Sequence, residues 1–385
     1  MSSLPPALRE VRTAVSTRLT RVLDARRTRW ADLAPAHEEL LDAAEDLVSS
    51  GKRMRAVLGA VGLALGAPGA EPRERSLLMT GATAARLGAA LELYQASALV
   101  HDDVVDAALT RRGRPTAHRR YAAQHAGSGW LGDAATYGGS AAILLGDLLM
   151  SLAGAEMGAA VASLADGARA EPARDAFDTM TAEVAVGQFL DVRSEVIAPP
   201  APDADPAAAG RAMLDSALAV VRHKSARYSV MHPLLIGALL GGAAKDAPLY
   251  AALRVFGEEV GIAFQLRDDV LGVYGDPALT GKPVGDDLRE GKRTVLLAMA
   301  WQRTDRAGRV LLSRVLANRD ASADLITAAS DLIRDCGALD EHEEEIAAHA
   351  RTGIRALDGA PRGALDQAGR NDLMTLAQAL TARNA

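Results

Sequence analysis

Two aspartate clusters interrupt otherwise apolar stretches of this chain. The first contains Asp102, Asp103 and Asp106, and the second contains Asp268 and Asp269. Carboxylates are rarely buried unless a partner stabilises them. Two such clusters facing one cavity would repel each other unless cations lay between them, and oxygen ligands favour Mg²⁺ that is shared with substrate phosphates. The sequence therefore predicts a site that holds a diphosphate and Mg²⁺ between two carboxylate walls.

The spacing within the first cluster supports this hypothesis. Residues four apart lie on one helix face, so Asp102 and Asp106 project together. Arg111 and Arg112 follow a few residues later, and the planar guanidinium group suits phosphate oxygens. The alternative interpretation is a solvated acidic face followed by a basic loop. The repetition of acidic and basic groups in two places favours the diphosphate site.

The composition favours packed helices and argues against nucleic acid as a partner. The chain has 385 residues, of which 49% are hydrophobic and only 3% aromatic. Few aromatic residues and abundant alanine are typical of closely packed helices rather than a β-sandwich. The net charge is -6, and no basic tail or stripe is present, so we predict no nucleic-acid binding.

The sequence also predicts a cytoplasmic protein without a membrane span. Cys336 is the single cysteine, which rules out an intramolecular disulfide and is compatible with a reducing compartment. The first residues lack an apolar core of the signal-peptide type. The longest uncharged stretch, residues 228–244, contains His232 and Pro233 and is shorter than a membrane span.

Helical periodicity dominates the chain, and no strand or hairpin is predicted. We expect a single all-α domain over residues 1–385, with a mobile Pro- and Ala-rich insertion at 197–210. The predicted helices are Pro6–Arg29, His37–Ser49, Arg53–Leu65, Arg75–Asp106, Gly139–Ala165, Pro172–Ser194, Ala207–His223, Ser229–Ala243, Pro248–Tyr274, Lys292–Gln302 and several amphipathic segments that follow.

With these motifs the chain resembles the trans-isoprenyl diphosphate synthases, the polyprenyl synthetase family, and is most like bacterial geranylgeranyl diphosphate synthases. The resemblance covers about residues 50–294. It implies an isoprenoid synthase-type helical bundle around a central cavity, three Mg²⁺ ions per active site and a homodimer. The implied substrates are isopentenyl diphosphate and an allylic diphosphate, which is dimethylallyl, geranyl or farnesyl diphosphate.

The resemblance also implies roles for individual residues. The diphosphate of isopentenyl diphosphate would be bound by Lys52, Arg55, Gln95 and Arg112. Arg111 would face the allylic diphosphate, and the further diphosphate-binding residues would be Lys224, Ser225, Gln265, Lys282 and Lys292. The implied metal ligands are Asp102, Asp106, Asp268 and Asp269. The implied catalytic set is Asp102, Asp103, Asp106, Arg111, Lys224 and Asp268. The last proton would pass to the released diphosphate.

One position departs from the family pattern. Gly272 stands where many members carry the third aspartate of the second motif. Asp268, Asp269 and Asp286 would then hold the third metal, and Asp287 continues the acidic pattern. The Gly-rich loop from Gly275 to Gly291 either closes over the substrate or is a passive connection.

The length of the product is expected to depend on the helix before Asp102. One helical turn spans roughly 5.4 Å, and the small Ser97 and Ala98 occupy the turn where short-product members carry a bulky aromatic residue. Tyr94 lies one turn further and could act as the floor, or it could be an ordinary core residue. We therefore predict geranylgeranyl diphosphate as the product.

Three other functions are weighed against this prediction. The first is a synthase of longer polyprenyl chains. The second is a class I terpene cyclase, which would carry an Asn/Asp, Ser/Thr and Glu triad where this chain has Asp268, Gly272 and Asp276. The third is a non-catalytic subunit of a heteromeric synthase, which would tend to lose an aspartate motif that this chain retains.

Overall fold

The computed structural model describes residues 5–67, 69, 71–111, 113–164, 167–276, 285–316, 318, 320–361 and 363–382. These residues are helical apart from loops and one pair of two-residue strands, so the predicted all-α class is confirmed. The chain divides into two compact units. The first unit comprises Met1–Thr181, His232–Arg254 and Gly359–Thr375, and the second comprises Ala182–Met231, Val255–Asp358 and Leu376–Ala385.

The regular elements follow in chain order. The α-helices are α1 (Pro6–Arg29), α2 (Ala36–Val48), α3 (Met54–Gly66), α4 (Pro72–Thr80), α5 (Ala82–Val105), α6 (Ala117–Gly127), α7 (Ala134–Ala162), α8 (Ala170–Val196), α9 (Pro206–Val220), α10 (His232–Gly241), α11 (Pro248–Tyr274), α12 (Asp286–Glu290), α13 (Val295–Arg303), α14 (Arg306–Val315), α15 (Ala323–Asp335), α16 (Ala338–Ala356) and α17 (Gln367–Thr381). A π-helix, here called the π segment, covers Val221–Met231. The strands β1 (Thr110–Arg111) and β2 (Arg114–Pro115) are antiparallel. Short 3-10 helices cover Ala31–Leu33, Gly167–Arg169 and Leu357–Gly359.

In the first unit, glycines allow two apolar helices to pack with their backbones almost in contact. A Cβ atom at Gly62 of α3 would lie 2.1 Å from the carbonyl oxygen of Leu234 in α10. A Cβ at Gly237 of α10 would lie 2.0 Å from the carbonyl oxygen of Gly59. Any larger residue would force the helices apart. Helix α5 packs against both α3 and α7, which places the first aspartate cluster on a buried helix.

The core of the second unit surrounds α13 and the middle of α11. Trp301 is completely buried and packs among aliphatic side chains that include Ile262 and Leu266. Helix α11 also lies close to the π segment, because a Cβ at Gly261 would lie 2.4 Å from the carbonyl oxygen of Ala226. The helix that carries the second aspartate cluster is therefore held on a large apolar core.

Several predicted helix boundaries are wrong. The helix predicted over Arg75–Asp106 is two helices, α4 and α5, which are separated at Gly81. Helix α7 begins before the predicted Gly139, because the Asp133 carboxylate caps it by accepting from the backbone N–H of Thr136 at 2.7 Å.

Two further elements differ from the prediction. The break predicted between His223 and Ser229 is absent, because the π segment continues through it. The strands β1 and β2 were not predicted at all, since two-residue strands leave no periodic pattern.

The predicted insertion at 197–210 ends inside α9, which begins at Pro206. The loop before it accepts two hydrogen bonds: Arg309 Nε donates to the carbonyl oxygen of Pro202 at 2.8 Å, and Arg293 donates to that of Ile197 at 3.3 Å. The mobility of this segment and the single-domain organisation stay predictions.

Candidate active site

The first aspartate cluster lies at the carboxyl end of α5. Asp102 is half-buried and Asp103 is 2% exposed, while Asp106 is the C-cap residue of the helix. The chain then reverses at Ala107, which has a φ of 50°. Non-glycine residues rarely adopt this left-handed conformation. This change of direction brings β1 and β2 close to the carboxyl end of α5.

The strand pair holds Arg111 against the first cluster. Arg111 Nε donates to Asp103 Oδ1 at 2.7 Å, and Nη2 lies 2.6 Å from the same oxygen and 3.4 Å from Asp102 Oδ2. The hairpin is fixed in turn by Thr116, whose hydroxyl donates to the carbonyl oxygen of Ala108 at 2.8 Å. Arg111 thus lies against the first cluster and neutralises Asp103, and its role towards a diphosphate stays a prediction. Arg112 lies outside the described residues.

The environment of Asp103 has two opposing effects on its ionisation. Burial raises the pKa of Asp103, and the Arg111 guanidinium acts in the opposite direction. Burial is the larger effect. Without Arg111 this carboxylate would be an uncompensated charge inside the protein.

The basic motif of residues 51–55, which contains Lys52 and Arg55, leads into α3. Lys52 is exposed and Arg55 is half-buried. Between them, Arg53 has a φ of 53° and is 5% exposed. Its guanidinium donates to the carbonyl oxygen of Val48 and lies 3.3 Å from the buried carboxylate of Glu92. This buried pair fixes the loop that presents Lys52 and Arg55.

The predicted chain-length residues lie on successive turns of α5 with the half-buried Gln95. Tyr94, Ala98 and Asp102 are four residues apart and share one face. Tyr94 is 6% exposed, and its hydroxyl donates to the carbonyl oxygen of Thr181 at 3.0 Å. Ser97 is 1% exposed. Eight residues of helix separate Tyr94 from Asp102, which corresponds to roughly 12 Å.

A cavity of about 590 Å³ adjoins the opposite side of α5 in the first unit. Its lining includes Leu99, Asp103, Arg111 and Tyr121. The ion pair of the first cluster is therefore accessible from this cavity.

The second cluster lies in the middle of α11. Asp268 is half-buried, whereas Asp269 is 4% exposed. Gln265 Nε2 donates to Asp269 Oδ1 at 2.9 Å. The other oxygen, Oδ2, is buried and has no hydrogen-bond partner within the described part of the chain. Burial raises the pKa of Asp269 well above its ordinary value, with further contributions from the charges of Asp287 and Asp268.

Lys224 lies in the π segment and is paired with a carboxylate that the sequence did not single out. Its Nζ lies 2.5 Å from Asp191 Oδ2 on α8. The two elements can approach because a Cβ at Gly187 would lie 2.5 Å from the Lys224 backbone nitrogen. Ser225 follows Lys224 and is half-buried. Lys224 is thus held by Asp191 of the same unit.

Lys292 follows α12 and lies among carboxylates. Its Nζ is 2.8 Å from Glu290 Oε2 and 3.6 Å from Asp287 Oδ1. The neighbouring Asp286 is half-buried. Lys282 and most of the Gly275–Gly291 loop lie outside the described residues, so the two hypotheses for this loop stay open.

These residues fit Mg²⁺ that is shared with a substrate. Among the residues that the structure describes, no three His, Cys, Asp or Glu side chains lie close enough together to hold a metal ion by themselves. Mg²⁺ binds through one or two carboxylates and takes its remaining ligands from water and substrate phosphates. The buried Asp269 Oδ2 without a partner is the kind of oxygen that a nearby cation would stabilise.

Asp191, Arg53 and Glu92 were missed at the sequence level. Each makes its contact with a residue far away in the chain, so no local spacing reveals the pair. The one available signal was the inclusion of Arg53 within the basic motif Gly51–Arg55.

Comparison with known proteins gives a consistent result. Residues 37–333 match the polyprenyl synthetase family. A short chain isoprenyl diphosphate synthase of Methanocaldococcus jannaschii is 29% identical over 64% of this chain and 64% of its own length. A geranylfarnesyl diphosphate synthase of Aeropyrum pernix is 34% identical over 68% of this chain and 71% of its own length. The chain thus spans less than two thirds of the first of these relatives.

A solved structure extends the similarity to nearly the whole chain. The geranylgeranyl pyrophosphate synthase from Corynebacterium glutamicum, complexed with isoprenyl diphosphate and magnesium, superposes with a TM-score of 0.84 and 34% sequence identity. The match covers 97% of this chain and 99% of that one.

Proposed function

Because the chain belongs to the polyprenyl synthetase family, we propose that it condenses isopentenyl diphosphate with an allylic diphosphate to make a trans-prenyl diphosphate. The predicted family and the enzyme class, a prenyltransferase, are confirmed by this membership. The observation that carries the proposed reaction is the arrangement at the end of α5. There, Asp102 and Asp103 stand beside an arginine that a strand pair fixes in place.

The reaction requires the allylic C–O bond to break, a new C–C bond to form with the isopentenyl double bond, and a proton to be lost from the resulting cation to the released diphosphate. Asp102 and Asp106 of the first motif and Asp268 and Asp269 of the second would hold Mg²⁺, which would supply stabilisation of the charge on the leaving diphosphate.

Arg111 and Lys224 add fixed positive charge for the phosphate oxygens. Both are held by buried carboxylates, Asp103 and Asp191, so they need no reorganisation during the reaction.

The allylic cation must be kept away from water. We propose that the growing chain follows the face of α5 that carries Ala98 and Tyr94, along which the helix rises by roughly 12 Å between Asp102 and Tyr94. The ring is supported edge-on by Phe177, with centroids 6.4 Å apart. We propose that Tyr94 is the floor of this path and that the product is geranylgeranyl diphosphate.

The proposed metal content is three Mg²⁺ ions per active site, as the resemblance implies. The proposed location is the cytoplasm.

We propose that the enzyme is a homodimer and that α7 contributes to the interface. One face of α7 exposes Ile143, Leu144 and Met150, which are 46%, 61% and 44% exposed. Large apolar side chains in a row on one helix mark an interaction surface. Leu144→Glu should halve the mass measured by light scattering, whereas Leu33→Glu, at another site that is 55% exposed, should not.

Helix α7 is also the one described helix that is long and apolar enough to cross a membrane. We propose that it is instead a structural helix. Its Glu156 accepts two hydrogen bonds from Arg18 of α1 at 2.6 and 2.7 Å, and its Asp147 lies 3.5 Å from His101 of α5. Charged contacts with two other helices are typical of a helix packed within a protein.

The proposed reaction can be tested by following pyrophosphate release. With Mg²⁺ present, release should require both isopentenyl diphosphate and an allylic diphosphate. Asp102→Asn should abolish it, while the exposed Asp32→Asn should not. If pyrophosphate were released from the allylic substrate alone and a cyclic hydrocarbon were formed, the protein would be a cyclase. No release with any primer would indicate a non-catalytic subunit.

A further inference from the structure

The carboxylate of Asp287 fills the space beside the α-carbon of Gly272. A Cβ atom built at Gly272 would lie 1.8 Å from Asp287 Oδ2 and 2.3 Å from its Cγ. No side chain can therefore occupy position 272 while Asp287 keeps this conformation. The two residues exclude each other sterically, although fifteen positions of sequence separate them.

Position 272 lies on the same face of α11 as Asp268. Residues four apart on a helix project together, so a carboxylate placed against Gly272 stands one turn after Asp268. Asp287 reaches this place from α12 rather than from α11 itself. The second acidic motif is thus extended by one carboxylate that belongs to another helix.

The backbone around Asp287 holds it in this position. The N–H groups of Gly291 and Lys292 donate to the Asp287 carbonyl oxygen at 3.1 and 3.0 Å. The Asp287 side chain is 13% exposed, and Lys292 Nζ lies 3.6 Å from its Oδ1. The carboxylate is therefore largely withdrawn from water, and Lys292 offsets part of its charge.

An independent observation points to a cation beside these groups. Asp269 is 96% buried, and within the described ranges its Oδ2 has no hydrogen-bond partner. A buried carboxylate oxygen that lacks a partner is unfavourable unless a cation stabilises it.

We propose that Asp287 supplies the carboxylate that follows Asp268 by one helical turn, that Gly272 is required to make room for it, and that Asp287 positions Mg²⁺-bound diphosphate at the second motif. This inference rests on the proposed function. It differs from the sequence-based expectation, in which Asp286 had this role. Asp287 is a positioning residue that acts through the metal-bound diphosphate.

The first test is calorimetric titration of the purified protein with inorganic pyrophosphate in the presence and absence of Mg²⁺. Asp287→Asn keeps the shape of the side chain and removes its charge. It should weaken the Mg²⁺-dependent binding by about tenfold to a hundredfold, the range for groups that orient metal ligands. Asp286→Asn should have a smaller effect, and the exposed Asp331→Asn should have none.

The second test moves the carboxylate from one helix to the other. Gly272→Asp alone should weaken binding, because its Cβ collides with Asp287. Gly272→Asp combined with Asp287→Ala should restore most of the binding, since the carboxylate then comes from α11. Gly272→Ala combined with Asp287→Ala is the matched control, which has the space without the charge, and it should stay weak.

The outcomes separate this inference from the proposed function. Rescue by the relocated carboxylate, but not by the alanine control, would support the inference. If Asp287→Asn bound pyrophosphate with Mg²⁺ as tightly as the wild type, the inference would be overturned but the proposed function would not. Equal recovery of binding in both double variants would have the same consequence. No Mg²⁺-dependent binding by the wild type would overturn the inference and the proposed function together. Circular dichroism without Mg²⁺ checks that each variant is folded.

Discussion

The two acidic motifs of this protein balance their buried charge in different ways. In the first unit, Asp103 is paired with Arg111, whose guanidinium nitrogens lie 2.6 and 2.7 Å from its Oδ1. In the second unit, the corresponding Asp269 accepts from an uncharged amide, and its second oxygen has no partner among the described residues. The charge of Lys292 also acts on Asp269, but Lys292 is shared with Asp287 and Glu290.

We infer from this difference that the buried carboxylate of the first motif is balanced within the protein, whereas that of the second motif is balanced by a bound cation. A buried carboxylate with an arginine is stable without a ligand. A buried carboxylate without one gains most when a cation arrives. The predictions below are ordered from the largest expected effect to the smallest.

Removing the leading carboxylate of either motif should have the largest effect. Asp102→Asn and Asp268→Asn should each lower kcat by at least about a hundredfold, the usual effect of deleting a group that stabilises developing charge. Steady-state pyrophosphate release measures this. If excess Mg²⁺ partly restored the kcat of Asp268→Asn but not that of Asp102→Asn, the difference between the two motifs would be larger. Normal kcat in either variant would contradict the assigned role.

Asp103 and Asp269 are the buried second aspartates of the two motifs, and replacing them should change the free energy of unfolding by different amounts. Asp103→Asn leaves Arg111 without its buried counter-charge, so the free energy of unfolding should fall by about 3 kcal/mol. Asp269→Asn removes an uncompensated group, so the metal-free protein should be as stable as the wild type or more stable. Denaturant unfolding in EDTA compares the two. Equal losses would show that the two motifs are balanced in the same way.

The second unit should also become less stable in mild acid. His342 is completely buried on α16 and bonds through Nε2 to the carbonyl oxygen of Leu266 on α11, at 2.9 Å. Burial lowers the pKa of His342 below its ordinary value of 6.5. The unfolded chain therefore takes up this proton first as the pH falls.

The contribution of His342 to stability is complete above pH 6.5 and is lost as the pH falls towards the lowered pKa. The loss has a maximum slope of about 1.4 kcal/mol per pH unit for one proton. Unfolding of the wild type and of His342→Gln between pH 8 and pH 5 isolates this effect. Parallel pH profiles would contradict it.

The smallest effect should be a change of product length by one or two isoprene units. Tyr94→Ala removes the proposed floor of the path along α5, so longer products should appear. Tyr94→Phe keeps the ring and loses only the hydrogen bond to Thr181, so it should leave the product unchanged. Ser97→Phe should shorten the product. Mass spectrometry of the dephosphorylated products measures all three, and an unchanged spectrum in Ser97→Phe would refute the path.

The sequence was sufficient for the helical class and for the motifs that lie within continuous helices. Asp102 and Asp106 are one turn apart, so their shared face follows from helical geometry alone. The same holds for Gln265 and Asp269, which are hydrogen-bonded at that spacing. The arginine after the first motif was also expected to lie near it.

Contacts between distant segments could not be predicted. Asp191 pairs with Lys224 because α8 and the π segment meet at Gly187, and no local pattern reports this approach. The role of Gly272 is similar. In the sequence, Gly272 stands where a third aspartate is expected. In the structure, the carboxylate of Asp287 occupies the space beside Gly272.

The most direct test of the account is to identify the product of the wild-type enzyme. The protein would be incubated with Mg²⁺, isopentenyl diphosphate and each allylic primer in turn, and the dephosphorylated products would be sized by mass spectrometry. The account predicts a single twenty-carbon prenol that disappears when EDTA is added. A ladder of longer prenols would reject Tyr94 as the floor, and the absence of any elongated product would contradict the proposed condensation.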